Sequence, residues 1–253
     1  MSDYTANEMM IVSAARALAD ARSVLVGVGL PNIACNLARR TEAPGLVLIY
    51  ESGVLGAEPA RLPLSIGDPT IVSGAAWAGP MADLFLYILQ GGRVDAALLG
   101  TAQIDRYGNL NSTVIGPYAS PKVRLPGSGG ACEIAINADR TLIITRLTAR
   151  TFVKKLDFQT TPGHFMSEQF GTKDSIPGHG PKWVITDKAL FRFDPESGEM
   201  ELSSLHPGVE QDDVMNDVSW PLKIASRVET TAAPTVEELR IIREELDPEG
   251  LYR

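Results

Sequence analysis

Two short apolar runs, Val24-Leu25-Val26-Gly27-Val28 and Leu46-Val47-Leu48-Ile49-Tyr50, constrain this chain more than any other feature. Each is uncharged, carries β-branched residues and ends at turn residues, the pattern of a strand buried on both faces. Between them Gly29-Leu30-Pro31 opens a helical stretch to about Arg40, with Pro31 placed where its missing N–H costs little. Pro44-Gly45 then breaks the chain before the second run. Strand, helix, strand at this spacing predicts a parallel pair joined by a crossover.

The pattern recurs. A helix near Asp83–Gln90 is closed by Gly91-Gly92 and followed by a strand at Ala96–Leu99; further strands are expected near Leu142–Thr145 and Trp183–Thr186. Leu190–Phe193 and Met200–Leu202 flank Pro195-Glu196-Ser197-Gly198 and read as a hairpin. The pairs Thr5/Glu8 and Thr235/Glu238 have capping-box spacing. They predict a first helix from about Ala6 to Ala21 and a last one that stops near Asp247-Pro248. Residues 151–181 lack periodicity and read as surface loop or lid. The expected architecture is α/β: a mostly parallel sheet covered by helices on both faces, with a C-terminal hairpin and helix, forming one domain over residues 1–253.

Composition narrows the function classes. Twenty-three glycines and 17 prolines argue against a helical bundle. With 23 Lys+Arg against 31 Asp+Glu, a formal charge of −8 offers no broad field to attract nucleic acid or an anionic membrane. Cys35 and Cys132 lie far apart without C-x-x-C spacing, so neither a disulfide framework nor a structural metal site is expected, and a reducing, cytoplasmic setting is. The polar Met1-Ser2-Asp3-Tyr4 is no signal peptide, and the longest uncharged stretch, Ser23–Ala38, is too short to span a bilayer.

Three glycine-rich places can carry chemistry. Gly27-Val28-Gly29 begins a dinucleotide fingerprint, but Asn32 stands where the third glycine belongs, so that motif is incomplete. Glu51-Ser52-Gly53 places a carboxylate directly after a buried strand, at the sheet edge where α/β folds bind ligands. A solvated loop carboxylate fits that spacing equally well. Gly127-Ser128-Gly129-Gly130 can converge backbone N–H groups on an anion, or be a flexible turn. Between them, the polar segment Gly100–Asn111 holds Gln103, a neutral amide able to grip a carbonyl or carboxylate, or simply to brace its loop. Asp105, Arg106 and Asn109 read as turn-bracing, and His164, His179 and His206 show no metal-ligand spacing. Lys122 and Arg124, before the glycine loop, suit either ligand phosphates or plain solvent.

Taken together, E-S-G at 51–53, G-T-A-Q-I-D-R-Y-G-N-L-N from Gly100 to Asn111 and G-S-G-G-A from Gly127 to Ala131 resemble the B (beta) subunit of family I CoA-transferases. The nearest likeness is to the 3-oxoadipate and glutaconate branch. It runs from Asn7-Glu8-Met9 through Leu205-His206-Pro207-Gly208 to the last helix; many members have an aromatic after the glycine loop, where Ala131 stands here. The resemblance implies Glu51 as covalent nucleophile and Gly127, Ser128, Gly129 and Gly130 as the oxyanion and acyl-CoA loop. Ser52, Gly53 and Gln103 are then assigned to substrate. It also implies a separate CoA-transferase alpha (A) subunit in a hetero-oligomer, acyl-CoA and a dicarboxylate as substrates, and no permanently bound cofactor, coenzyme A being a substrate. Succinyl-CoA to 3-oxoadipate transfer is the leading expectation. Glutaconate transfer, an acyl-CoA hydrolase or lyase on the same scaffold, and a non-catalytic acyl-CoA or sugar-phosphate sensor are the alternatives. No DNA-binding helix pair or basic segment supports the sensor.

Overall fold

The apolar runs become the inner strands of a sheet. In the computed structural model, which describes residues 3–59, 61–167, 171–172 and 176–253, the chain falls into two compact units. The first comprises Met1–Leu98 with Ala233–Arg253, the second Leu99–Ala232.

In the first unit α1 (Ala6–Arg16) begins with the capping box its sequence announces. Glu8 N–H donates to Thr5 Oγ1 at 3.1 Å and Thr5 N–H to Glu8 Oε2 at 2.7 Å. Beyond Arg16 the helix tightens into i→i+3 bonds at Leu18, Ala19 and Ala21, so it ends earlier than periodicity suggests. Then come β1 (Ser23–Leu25), α2 (Leu30–Arg40), β2 (Val47–Tyr50), β3 (Val54–Leu55), β4 (Trp77–Ala78), α3 (Met81–Asp83) and β5 (Ala96–Leu99). α3 runs on as a wider π-helical stretch, Leu84–Leu89.

The strand order is β5-β1-β2-β3-β4, with β1 parallel to both β2 and β5 and with β3 and β4 antiparallel. Val24, Leu48, Ile49, Tyr50, Ala96 and Ala97 are buried, which is why both faces of these strands are apolar. α1 packs on α2, and α2 on the C-terminal helical stretch that starts at Val236–Arg240 and continues over Ile241–Leu246. Two charge pairs tie that stretch to α1. Arg16 grips Glu238 through two bonds of 2.9 and 2.7 Å, and Arg243 grips Glu8 at 2.7 and 3.0 Å. Burial pushes the Glu8 carboxyl up, but the Arg243 and Thr5 hydrogen bonds overcome it and hold the group below its ordinary range.

The second unit contains β6 (Gln103–Ile104), β7 (Leu110–Asn111), β8 (Val114–Ile115), β9 (Val123–Arg124), α4 (Ala131–Asn137), β10 (Arg140–Ile144), β11 (Phe165–Ser167) and β12 (Gly171–Thr172). It is completed by β13 (Pro181–Ile185), β14 (Ala189–Phe193), β15 (Met200–Leu205), α5 (Gln211–Met215) and β16 (Lys223–Thr230). Its main strands lie in the order β10-β13-β14-β15-β16. β10/β13 and β15/β16 are parallel, while β14 is antiparallel to both neighbours. Both units are thus α/β, each with a mixed, partly parallel sheet and helices. The predicted hairpin is β14–β15, turned by Asp194, whose Oδ1 accepts from the Ser197 N–H (2.7 Å) and hydroxyl (2.8 Å).

The loop-or-lid reading of 151–181 is corrected for Phe152 and for residues 160–164. Ile104 N–H donates to Thr151 O (2.7 Å), Val153 N–H to Ile104 O (3.0 Å), Thr160 N–H to Leu110 O (2.8 Å) and His164 N–H to Tyr107 O (2.8 Å). Phe152 is fully buried, its ring centroid 5.5 Å from that of Phe191 and 6.1 Å from that of Trp220. Phe152 and residues 160–164 are thus core, whatever their periodicity, while Lys154, Lys155, Asp157 and Gln159 between them are exposed. Of the remainder, residues 168–170 and 173–175 lie outside the described residues. Among the described residues no helix is long and apolar enough to cross a membrane.

Candidate active site

Glu51 follows the last residue of β2, and Tyr50 pairs with Val54, so Glu51-Ser52-Gly53 is a three-residue hairpin loop closed by a Gly53 N–H to Tyr50 O bond of 3.0 Å. Because β1, β2 and β5 run parallel, this loop sits at their carboxyl edge, beside the Gly27–Gly29 turn that ends β1. Gly53 has φ +104°, and a Cβ there would collide with the Gly79 carbonyl oxygen. Gly79 N–H in turn donates to Gly53 O at 2.9 Å. The segment after β4 therefore clamps the turn, and only glycine fits at its third position.

Glu51 is half-buried, and among the described residues no hydrogen bond or ion pair reaches its carboxylate. Burial alone pushes its pKa above the ordinary value. An ionised carboxylate stripped of some water and given no counter-charge is more basic, which is what a carboxylate nucleophile lacks in solution. Ser52 is also half-buried, at the next position of the turn.

Behind the turn lies a buried polar cluster that the sequence reading did not single out. Asn36 Nδ2 donates to Asn32 Oδ1 at 2.7 Å, and the Tyr50 hydroxyl approaches the same oxygen at 3.5 Å. Asn32 is 1% exposed. A buried, hydrogen-bonded asparagine thus stands at the position where the dinucleotide fingerprint requires its third glycine. The available signal was two asparagines four apart on one helix face.

The second unit holds Gln103 and the glycine loop. Gly127 (φ +97°) and Gly129 (φ +49°) have left-handed backbones, and a Cβ at either would meet nothing within 4 Å. Gly127 is anchored at both ends of its peptide: its N–H donates to Ser112 O and its carbonyl accepts from Ser112 Oγ, each at 2.9 Å. Ser128 O accepts from Ala131 N–H at 2.8 Å and Ser128 Oγ from Cys132 N–H at 3.3 Å, so this side chain starts α4. The N–H groups of Ser128, Gly129 and Gly130 find no acceptor among the described residues. A row of unpaired amides beside open space can receive a carboxylate, a phosphate or an oxyanion.

Gln103 is 6% exposed and extensively bonded. Its Oε1 accepts from Asn111 Nδ2 (2.7 Å) and Asp157 N–H (3.1 Å), and its Nε2 donates to Asp157 Oδ2 (3.0 Å). Asn111 leads into Ser112, so Gln103 and the glycine loop share one hydrogen-bonded frame. Asp157 was invisible to sequence reasoning, lying 54 residues away in an aperiodic stretch.

The remaining polar residues take structural roles. Asp105 Oδ1 accepts from the Tyr107 and Asn109 N–H groups and Oδ2 from Asn109 Nδ2, bracing the turn as its sequence suggests. Arg106 pairs with Glu199 at 3.4 Å. Arg124 lies over the Tyr118 ring at 4.9 Å, and Lys122 is exposed. His164 and His206 bond the Pro181 and Thr186 carbonyls, and His179 bonds Asp139. Among the described residues no three His, Cys, Asp or Glu side chains are grouped to hold a metal.

Comparison with known proteins gives the family. The sequence pattern of a family described as Coenzyme A transferase matches residues 7–217, spanning parts of both units. The chain belongs to this family. It is a family I, B-type (beta) subunit of the 3-oxoadipate/glutaconate branch, and its activity is that of a CoA-transferase. It is 49% identical over 243 residues to the B-type subunit of 3-oxoadipate CoA-transferase from Pseudomonas knackmussii, covering 96% of this chain and 94% of that one. It is 36% identical over 253 residues to the B-type subunit of glutaconate CoA-transferase from Acidaminococcus fermentans, covering 98% and 94%. The crystal structure of the Acidaminococcus fermentans glutaconate coenzyme A-transferase superposes with a TM-score of 0.90 at 34% identity, over 99% of this chain and 97% of that one. Coenzyme A enters as a substrate of this family.

Proposed function

We propose that this chain carries the nucleophile of a two-subunit enzyme that moves CoA from succinyl-CoA to 3-oxoadipate, with Glu51 forming a covalent glutamyl-CoA thioester. The observation that carries the reading is the half-buried, unpaired Glu51 carboxylate on a clamped turn at the carboxyl edge of parallel strands. The higher identity to a 3-oxoadipate enzyme, 49% against 36%, supports that acceptor over glutaconate.

In this reading a Glu51 oxygen attacks the acyl-CoA carbonyl, forming a mixed anhydride and expelling CoA thiolate. The thiolate attacks the Glu51 carbonyl carbon, releasing the donor acid as a carboxylate and leaving the glutamyl thioester. The acceptor carboxylate then attacks that thioester, expelling thiolate again, and the thiolate takes the acceptor acyl group and frees Glu51. Splitting one exchange into such steps lowers each barrier. Every tetrahedral intermediate carries an oxyanion, and the Gly129 and Gly130 amides are its donors. Gly127 and Ser128 hold that loop for acyl-CoA, Ser52 and Gly53 set the turn beside substrate, and the Gln103 amide holds a substrate oxygen. Removing one oxyanion donor typically costs about 2.7–4 kcal/mol.

Residues 1–253 serve as one beta-type domain, and a separate alpha subunit completes the site and excludes water. The free thiols of Cys35 and Cys132 suit a reducing cytoplasmic setting. The test is co-expression with the alpha subunit, followed by assay of succinyl-CoA against a panel of dicarboxylates. The highest kcat/KM should fall on 3-oxoadipate, and this chain alone should be inactive. A preference for glutaconate would move the assignment within the branch; net hydrolysis without transfer to any acid would overturn it.

A further inference from the structure

We infer that Asp157 is a positioning residue of this site: it fixes the Gln103 amide so that a single N–H is offered to a substrate carbonyl or carboxylate. This rests on the reading above.

The geometry leaves the amide one orientation. Asp157 Oδ2 receives the Gln103 Nε2 hydrogen at 3.0 Å and the Gly116 N–H at 3.1 Å. An ionised carboxylate only accepts, and the Asp157 backbone N–H, 3.1 Å from Gln103 Oε1, only donates. Asn111 Nδ2 fills the other side of Oε1 at 2.7 Å while its own Oδ1 receives the Thr113 N–H at 3.0 Å. Exchanging the oxygen and nitrogen of Gln103 would set an oxygen against the Asp157 carboxylate and an NH2 against two donors, so no exchange is tolerated. Both ends of one residue, backbone and side chain, therefore hold the same amide.

What remains is one Nε2 hydrogen with no acceptor among the described residues. Gln103 follows Gly100-Thr101-Ala102, the segment leaving the carboxyl end of β5, and at 6% exposure its amide has little water to turn to. The Ser112 peptide that anchors Gly127 follows directly after Asn111, so the free Gln103 N–H and the free loop amides are held by one frame. An amide that only braced its loop would need the two bonds to Oε1. The bond to a charged acceptor fixes the direction in which the remaining N–H points, and the two donors to Oε1 polarise the amide toward a further acceptor.

The complex with the alpha subunit is assayed for succinyl-CoA and 3-oxoadipate as wild type, Gln103→Ala, Asp157→Ala, the double variant and Asp157→Asn. Asp157→Ala should lower kcat/KM by about 30-fold in the wild-type background but by less than about threefold in the Gln103→Ala background. Asp157→Asn, which keeps an oxygen acceptor, should stay within about threefold of wild type. An equal loss in both backgrounds, or no loss from Asp157→Ala in the wild type, overturns the inference. If Asp157→Ala does not fold, Asp157→Glu, which displaces the acceptor, runs the same cycle with the same two readings. Transfer by the wild-type complex is measured first, so an inactive wild type counts against the functional assignment and not against Asp157.

Discussion

Gly53 and Gly129 both hold left-handed backbones, yet for opposite reasons. At Gly53 the neighbouring Gly79 carbonyl leaves no room for a side chain, and the closeness clamps the turn that carries Glu51. At Gly129 nothing lies within 4 Å of where a Cβ would be, and the glycine serves only the backbone direction. One glycine makes structure tight, the other leaves a lined and open place. The same contrast holds for the polar groups: Gln103 has nearly all its bonds made within the chain, while among the described residues Glu51 and the loop amides find no partner.

That contrast can be broken by substitution. The largest effect is expected for Gly53→Ala, where a collision with backbone and an unfavourable φ coincide. It should destabilise the protein by about 3 kcal/mol or more, seen in chemical denaturation, and remove transfer activity with it. Gly129→Ala separates the two causes, since only conformation is strained. A stability loss of about 1–2 kcal/mol should accompany a fall in kcat/KM of roughly 10- to 100-fold, because the amides turn away from the oxyanion. If Gly129→Ala kept full activity, the loop would be a turn and nothing more.

The smallest effect concerns Glu51 itself. Burial raises its pKa in the folded protein above the unfolded value, so the folded state holds the proton more tightly. Its ionisation therefore costs stability as pH rises from the unfolded pKa through the raised one, and the cost is complete at neutral pH. Glu51→Gln should accordingly be slightly more stable than wild type at pH 7 and should lose that advantage in acid, as thermal melts across pH would record. By the same shift, the acid limb of kcat/KM for the active complex should lie above the ordinary carboxylate value of about 4.3.

Much of this was legible locally. Both T-x-x-E capping boxes form because their partners are three residues apart, and the Asp194 turn closes within four. The apolar runs became β1, β2, β5 and β10 because burial on both faces writes itself as composition. β3 and β4 were not legible, since two residues carry no period. β16 was missed because a mostly exposed edge strand containing Lys223, Arg227 and Glu229 looks like surface. Phe152 and residues 160–164 looked like loop or lid because their order comes from bonds to Ile104, Tyr107 and Leu110, about fifty residues away. Within the site, Glu51 and the glycine loop could be named from motifs, but Asp157 and the Asn32–Asn36–Tyr50 cluster exist only once the chain has folded.

The central claim is tested most directly by incubating the complex with succinyl-CoA in the absence of acceptor, digesting it, and weighing the peptide that contains Glu51. The account predicts a coenzyme A adduct on that glutamate, discharged when the dicarboxylate is added. Continued turnover with Glu51 unmodified, or an adduct on another side chain, would contradict it.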